Sequence, residues 1–323
     1  MPIPPAPYAF ASLPKIDSRA DRIDVGQLAP SLARGEGYLG FARNDWQETL
    51  GVHMTSGAPE QLIVLPRATY MPLYTALSTA GAVLLMLFKF YSLALIMALA
   101  TAALFVLWGQ RAGHARDYGP LPVGRGLCVP PHTEVASAPP WSALIFALIA
   151  DGVLFASLVF GAFYLALSAP SWPPAVTPEP KLSLAVASIA ALVVAAAAGR
   201  GSLRALAAGR APHVWIALAA VALLAAIVTV AIMVGNVVPH PHEHALGATS
   251  AALLGYLALH AGIGLLFLLS NVTRISAGFL SPRRLIDLRL TRLWIEYTTV
   301  TGALAIGLVS ALPALVGVSG MRP

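Results

Sequence analysis

Three ionisable residues, Asp151, His260 and Glu296, lie within long apolar runs, where a charged side chain is costly and by default marks a candidate site. Asp151 sits in Leu148-Ile-Ala-Asp-Gly-Val-Leu-Phe155, roughly ten residues into its run and so about half way across a bilayer at 1.5 Å per residue. Burial disfavours an isolated carboxylate, so this group must be neutralised or given donors. Two roles stay open for it: a proton or lipid-headgroup site, or a protonated acid hydrogen-bonded to another helix. His260 lies near mid-depth of a later run, in Gly255-Tyr-Leu-Ala-Leu-His-Ala-Gly-Ile-Gly264, whose glycines predict a close helix contact. One imidazole leaves most positions of a metal or heme iron unfilled, and the other histidines lie in loops. The expected role of His260 is therefore hydrogen-bonded packing. Glu296 follows Arg292 by one helical turn, which predicts an interfacial ion pair.

The string His240-Pro-His-Glu-His244 places three imidazoles and a carboxylate within five residues, a donor set that could hold a divalent ion. Pro239 and Pro241 forbid helical spacing there, so a solvated loop is the expectation and no metal ligand is assigned. No Gly-x-x-x-x-Gly-Lys-Ser/Thr string occurs, which argues against nucleotide hydrolysis by this chain. No apolar run holds two histidines, which excludes a bis-imidazole heme clamp within one helix. Transporters often show Gly/Pro-interrupted helices at matching places in two halves, whereas Pro313 in the last run has no counterpart. No catalytic or cofactor-binding residue is expected in the chain.

The elements that must position these residues are membrane spans. Of 323 residues 58% are hydrophobic and 11% charged, against about 25% charged in soluble domains. With a mean hydropathy of +0.76, the chain reads as an all-α polytopic membrane protein. Seven apolar stretches fall near 71–88, 90–109, 141–168, 182–199, 214–236, 247–271 and 294–317, each able to cross about 30 Å of hydrocarbon. Only the neighbourhood of Lys89 separates the first two, which implies a tight helical hairpin over 70–110, with one very long helix as the competing reading. The stretch from Leu182 to Gly199 is nearly all small or β-branched residues, so it should be buried between helices.

Loop charge sets the expected orientation. Arg111, Arg116, Arg125, Arg200, Arg204, Arg210, Arg274, Arg283, Arg284, Arg289 and Arg292 fall in alternate loops, against Lys89, Lys181 and Arg322 in the others. The positive-inside rule then places the N-terminus in the cytoplasm and the C-terminus outside. The formal charge of +6 is scattered over these loops, a topology signal with no polyanion groove, so nucleic acid is not an expected partner. Residues 1–69 mix six Lys/Arg with seven acids and carry Pro4-Pro5 and Gly35-Glu36-Gly37, so a mostly irregular aqueous extension is expected. No basic segment leads into an apolar one at the start, so no cleaved signal peptide is expected. Residues 111–138 form a cytoplasmic linker, and the single cysteine, Cys128, is expected to be a buried thiol.

Pro139-Pro140-Trp141 followed by Ile149-Ala-Asp-Gly-Val-Leu-Phe-Ala-Ser-Leu-Val-Phe-Gly-Ala-Phe-Tyr164 resembles the opening of subunit III of heme-copper terminal oxidases. There a Pro-Pro-Trp leads into a helix with a buried Glu, and Asp151 falls at or beside the place of that acid. Leu259-His260-Ala-Gly-Ile-Gly264 is similar to the family's Gly-x-His-Gly-x-His helix, with Leu257 departing from it at the first histidine. Arg292-Leu-Trp294-Ile-Glu-Tyr297 keeps the tryptophan of a Trp-His pair but not its histidine. Pro4-Pro-Ala-Pro-Tyr-Ala-Phe10 and Leu13-Pro-Lys-Ile-Asp-Ser-Arg19 resemble the stretch after the last subunit I helix in chains that fuse subunits I and III.

The resemblance implies a hairpin before a five-helix bundle over 139–323 in a bacterial inner membrane. It also implies a non-catalytic subunit beside oxidase subunits I and II, which carry the heme and copper, with phospholipid bound in a cleft. Asp151, His260, Trp294, Glu296 and Arg292 would then shape the lipid cleft or the subunit contact. A stand-alone proton-coupled transporter, with Asp151 and His260 as a relay, is the rival.

Overall fold

The computed structural model describes residues 47–55, 59–65, 69–111, 117–124, 127–131, 138–168, 182–236 and 240–317. Outside the described residues lie 1–46, with the Pro4–Phe10 and Leu13–Arg19 stretches, and also Arg67, Arg116, Arg125, Lys181 and Arg322.

Hydrocarbon offers no hydrogen-bond partners, so an apolar run satisfies its backbone internally as a helix. The runs form α1 (Met71–Leu87), α2 (Tyr91–Arg111), α3 (Pro139–Ser168), α4 (Leu182–Ala207), α5 (His213–Gly235), α6 (Ala245–Ser276) and α7 (Ile286–Gly317). Six of them are long and apolar enough to cross a membrane, and the shorter apolar helix is α1. Its 17 residues rise about 26 Å. At 32 residues each, α6 and α7 run past the apolar stretches that announced them.

Two compact units make up the chain: Met1–Glu134 with Thr273–Leu280, and Val135–Val272 with Ser281–Pro323. In the first, α1 and α2 form an antiparallel hairpin, which excludes the single long helix. The chain turns at Lys89, the one described non-glycine residue at positive φ, 63°. Phe90 N donates to Leu85 O at 2.9 Å and Lys89 N to Met86 O at 3.0 Å, a Schellman closure with Lys89 where glycine usually stands. Buried Ser78 then bonds Thr101 Oγ1 at 2.8 Å and donates to Met97 O, tying the two helices.

The extension is not wholly irregular. Gln47–Val52 (β1) pairs antiparallel with Pro59–Leu65 (β2), because Leu62-Ile-Val-Leu65 suits a half-buried strand: Leu62 is buried and Ile63 exposed. In the linker, Leu121–Gly124 (β3) pairs with Leu127–Val129 (β4), and Leu62 N donates to Pro130 O at 2.9 Å between the two hairpins. Strand alternation also corrects the reading of Cys128. Val129 takes the buried face, so the Cys128 thiol is exposed.

In the second unit α4 is central, packed on both α5 and α7. Its buried positions, Ala185, Ser188, Leu192, Ala195, Gly199 and Ser202, recur every three or four residues and form one stripe of mostly small side chains. Val186 and Val193 face outward, so burial covers this stripe and not the whole helix. Ser188 Oγ donates to Thr229 Oγ1 on α5 at 2.6 Å. A methyl group at Gly201 would overlap the Trp215 ring, and one at Gly302 would lie 2.6 Å from Leu257 and 2.8 Å from Leu192. These glycines set how closely the helices approach.

Candidate functional site

Asp151 projects from α3 towards α6 and α7, and one carboxylate oxygen gathers its partners. Oδ2 accepts from Tyr256 OH, from Tyr297 OH at 2.6 Å, and faces His260 Nε2 at 3.1 Å. The two phenol oxygens stand 3.2 Å apart. Tyr256 and His260, four residues apart on α6, share one face, so both reach the acid from a single helix. Tyr297 enters from α7. A carboxyl group withdrawn from water thus regains three partners, and hydrogen bonds to a charged group contribute roughly 1.5–3 kcal/mol each.

His260 is held from every side. Its side chain is buried, its ring lies 3.9 Å from that of Tyr256, and it stacks almost parallel on Trp294 at 5.2 Å. Trp294 Nε1 donates to the backbone oxygen of His260 at 2.9 Å, while Phe267 meets the Trp294 ring edge-on. Nδ1 of His260 stands 2.9 Å from Tyr256 O, a carbonyl that can only accept, so Nδ1 carries a proton. One proton then lies between Nε2 and Asp151 Oδ2. Whether nitrogen or oxygen holds it, the pair has no net charge, which suits a low-dielectric interior.

Trp294 joins this cluster, but Glu296 and Arg292 belong to another. Glu296 Oε1 accepts from Arg292 Nε at 2.8 Å, the expected ion pair, and from Arg200 Nε on α4 at 2.6 Å. Sequence reasoning treated Arg200 as a loop cation; it is the inter-helix partner. It also missed Tyr256 and Tyr297, whose signal was present: a phenol inside an apolar run needs a hydrogen-bond partner, and Asp151 needs donors. Of the glycines around His260, Gly264 packs against Leu223 and Trp294, whereas Gly255 and Gly262 face open space. The close contact is therefore confined to one end of that stretch.

The His240–His244 string forms a turn in which Glu243 Oε2 accepts from His240 N at 3.0 Å. The rings of His240 and His242 stack at 5.8 Å. Among the described residues, no three His, Cys, Asp or Glu side chains are grouped so as to hold a metal ion.

These features define a helical integral membrane protein with two separate polar networks in one bundle. No protein-family profile matches the chain, and no curated protein matches it in sequence.

Proposed function

We propose that the chain is a non-catalytic subunit III of a proton-pumping heme-copper terminal oxidase, seated beside subunits I and II in a bacterial inner membrane. In this reading all seven helices span, the N-terminus is cytoplasmic and the C-terminus lies outside. The α1–α2 hairpin precedes a five-helix bundle over 139–323 that binds phospholipid and sustains proton uptake by the catalytic subunit. Heme and copper belong to the partners.

The observation that supports it best is the closed bonding at Asp151. The acid falls at or beside the place of the family's buried glutamate, and its partners on α6 and α7 come from the stretches that resemble that family. Tyr256, Tyr297 and His260 are engaged with Asp151, an arrangement suited to holding helices in register. The transporter reading uses the same Asp151–His260 pair as a relay.

Affinity purification of the tagged chain from its native membrane separates the two. Stoichiometric recovery with heme-bearing subunits supports the oxidase reading. A monomer that moves protons with a substrate in liposomes, without companions, overturns it.

A further inference from the structure

We propose that Tyr256 is a one-electron redox site: it loses an electron to a high-valent metal centre of a partner chain, passes its proton to Asp151 and remains as a neutral tyrosyl radical. The source of the oxidant rests on the oxidase reading, whereas the choice of residue rests on geometry alone. A phenol that loses an electron becomes a strong acid, so it is oxidised readily only where a base stands ready for its proton. Among the described tyrosines, Tyr70, Tyr74, Tyr91, Tyr118 and Tyr164 are exposed and their hydroxyls make no hydrogen bond to a described residue. Tyr256 and Tyr297 differ from all of these, since both donate to Asp151 Oδ2. Of the two, Tyr256 is the better shielded. It is 7% exposed, and its ring is covered by Phe155 at 5.2 Å and by the His260 imidazole at 3.9 Å. A radical there is screened from water and from solutes that would quench it.

The step balances within the cluster. One electron leaves Tyr256 and reduces the metal centre by one unit. The phenol proton crosses its hydrogen bond to Asp151, and the proton already shared between Asp151 and His260 settles on Nε2. The products are a neutral phenoxyl, a carboxylic acid and an imidazolium, so the cluster gains one positive charge for the electron lost. Both imidazolium nitrogens keep acceptors, Tyr256 O at Nδ1 and Asp151 Oδ2 at Nε2. Tyr297 OH, 3.2 Å from the Tyr256 oxygen, is placed to donate to the phenoxyl once Asp151 is protonated. The electron has an exit. The His260 ring that touches Tyr256 also stacks almost parallel on partly exposed Trp294 at 5.2 Å. Indole and phenol are the most readily oxidised aromatic side chains, and a single imidazole in contact with both joins them. The oxidant withdraws an electron from Trp294, and Tyr256 replaces it.

The test uses the full chain in neutral detergent, oxidised by photogenerated ruthenium(III) tris-bipyridine and followed by electron paramagnetic resonance and transient absorption. One long-lived neutral tyrosyl signal is expected, with formation slowed in heavy water. Tyr256→Phe should abolish it, while Tyr164→Phe, which removes an exposed phenol, leaves it unchanged. Asp151→Asn retains an oxygen acceptor but no base and should slow formation about tenfold, the worth of one hydrogen bond to a charged group. Trp294→Phe should slow formation and leave the spectrum as it is. Circular dichroism confirms that each variant is folded, and the heavy-water measurement on the unaltered chain stands whether or not Asp151→Asn folds. A dominant signal that survives Tyr256→Phe, or a formation rate indifferent to heavy water, overturns the proposal. Because light supplies the oxidant, purification without heme-bearing partners would sink the oxidase reading alone, and loss of selectivity for Tyr256 would sink this site alone.

Discussion

Asp151 Oδ2 and His260 Nε2 meet at 3.1 Å although 109 residues separate them in sequence, and the same oxygen also receives both tyrosine hydroxyls. The polar contacts among α3, α6 and α7 therefore converge on one atom, beside an apolar core of Phe155, Ala162, Leu253 and Ala305. Replacing Asp151 with Ala should lower stability by about 3 kcal/mol, because buried Tyr256 and His260 and half-buried Tyr297 lose their acceptor together. Unfolding in detergent reads the loss. In the proposed complex, heme spectra and oxygen reduction should persist while assembly or turnover lifetime declines. A complex that keeps its metals yet no longer reduces oxygen would contradict a positioning role.

Removing one donor should cost much less than removing the acceptor. Tyr297→Phe keeps the ring and leaves Tyr256 and His260 on the acid, so a loss of about 1 kcal/mol is expected. Combined with Tyr256→Phe, the effect should exceed the sum of the two single changes, since the hydroxyls share one oxygen. Additive behaviour in this double-mutant cycle would show that they act independently.

Gly302 faces Leu257 and Leu192 so closely that an added methyl must displace one of them. Gly302→Ala should cost about 1–3 kcal/mol by overpacking. Gly255→Ala, which points into open space, should be neutral or slightly stabilising. Equal melting temperatures for the two variants would refute this account of helix spacing.

Lys89 occupies the left-handed position of a Schellman closure, while Gly209 and Gly278 fill the equivalent position after α4 and α6. Lys89→Gly should relieve strain and stabilise the isolated chain by up to about 1 kcal/mol. A fall in Tm would mean that the lysine side chain contributes more than its backbone costs.

Cys128 is the only cysteine in the chain, and it is exposed on β4. With the proposed orientation, a membrane-impermeant maleimide should leave it unlabelled in intact cells and label it in inverted membrane vesicles. The reverse pattern would invert the assigned topology.

The helices were legible because their apolar runs are long and their breaks are abrupt, as at Lys89. The α4 contact stripe was legible as well, since Ala185, Ser188 and Gly199 declare small size in their identity. The site was legible only by half. Asp151, His260 and Trp294 could be named from residue type and resemblance, but the donors that complete the acid come from helices more than a hundred residues away. Tyr256 and Tyr297 look like any aromatic residues of a membrane helix until tertiary packing aims their hydroxyls. Arg200 escaped for the opposite reason: at the end of an apolar run it counted toward topology, and only the approach of α4 to α7 brings it to Glu296. The strands at 47–65 were hidden by Gly51 and Pro59, which signal turns more loudly than Leu62-Ile-Val-Leu65 signals pairing.

A proton confined between Asp151 and His260 also has almost no lever on the membrane potential. Moving one elementary charge across the whole membrane changes its energy by about 2.3 kcal/mol per 100 mV. A hop of about 1 Å within a hydrocarbon layer of about 30 Å samples only a few hundredths of that, below 0.1 kcal/mol. The junction of α3, α6 and α7 is thus held by a bond that charging or discharging the membrane leaves essentially unaltered.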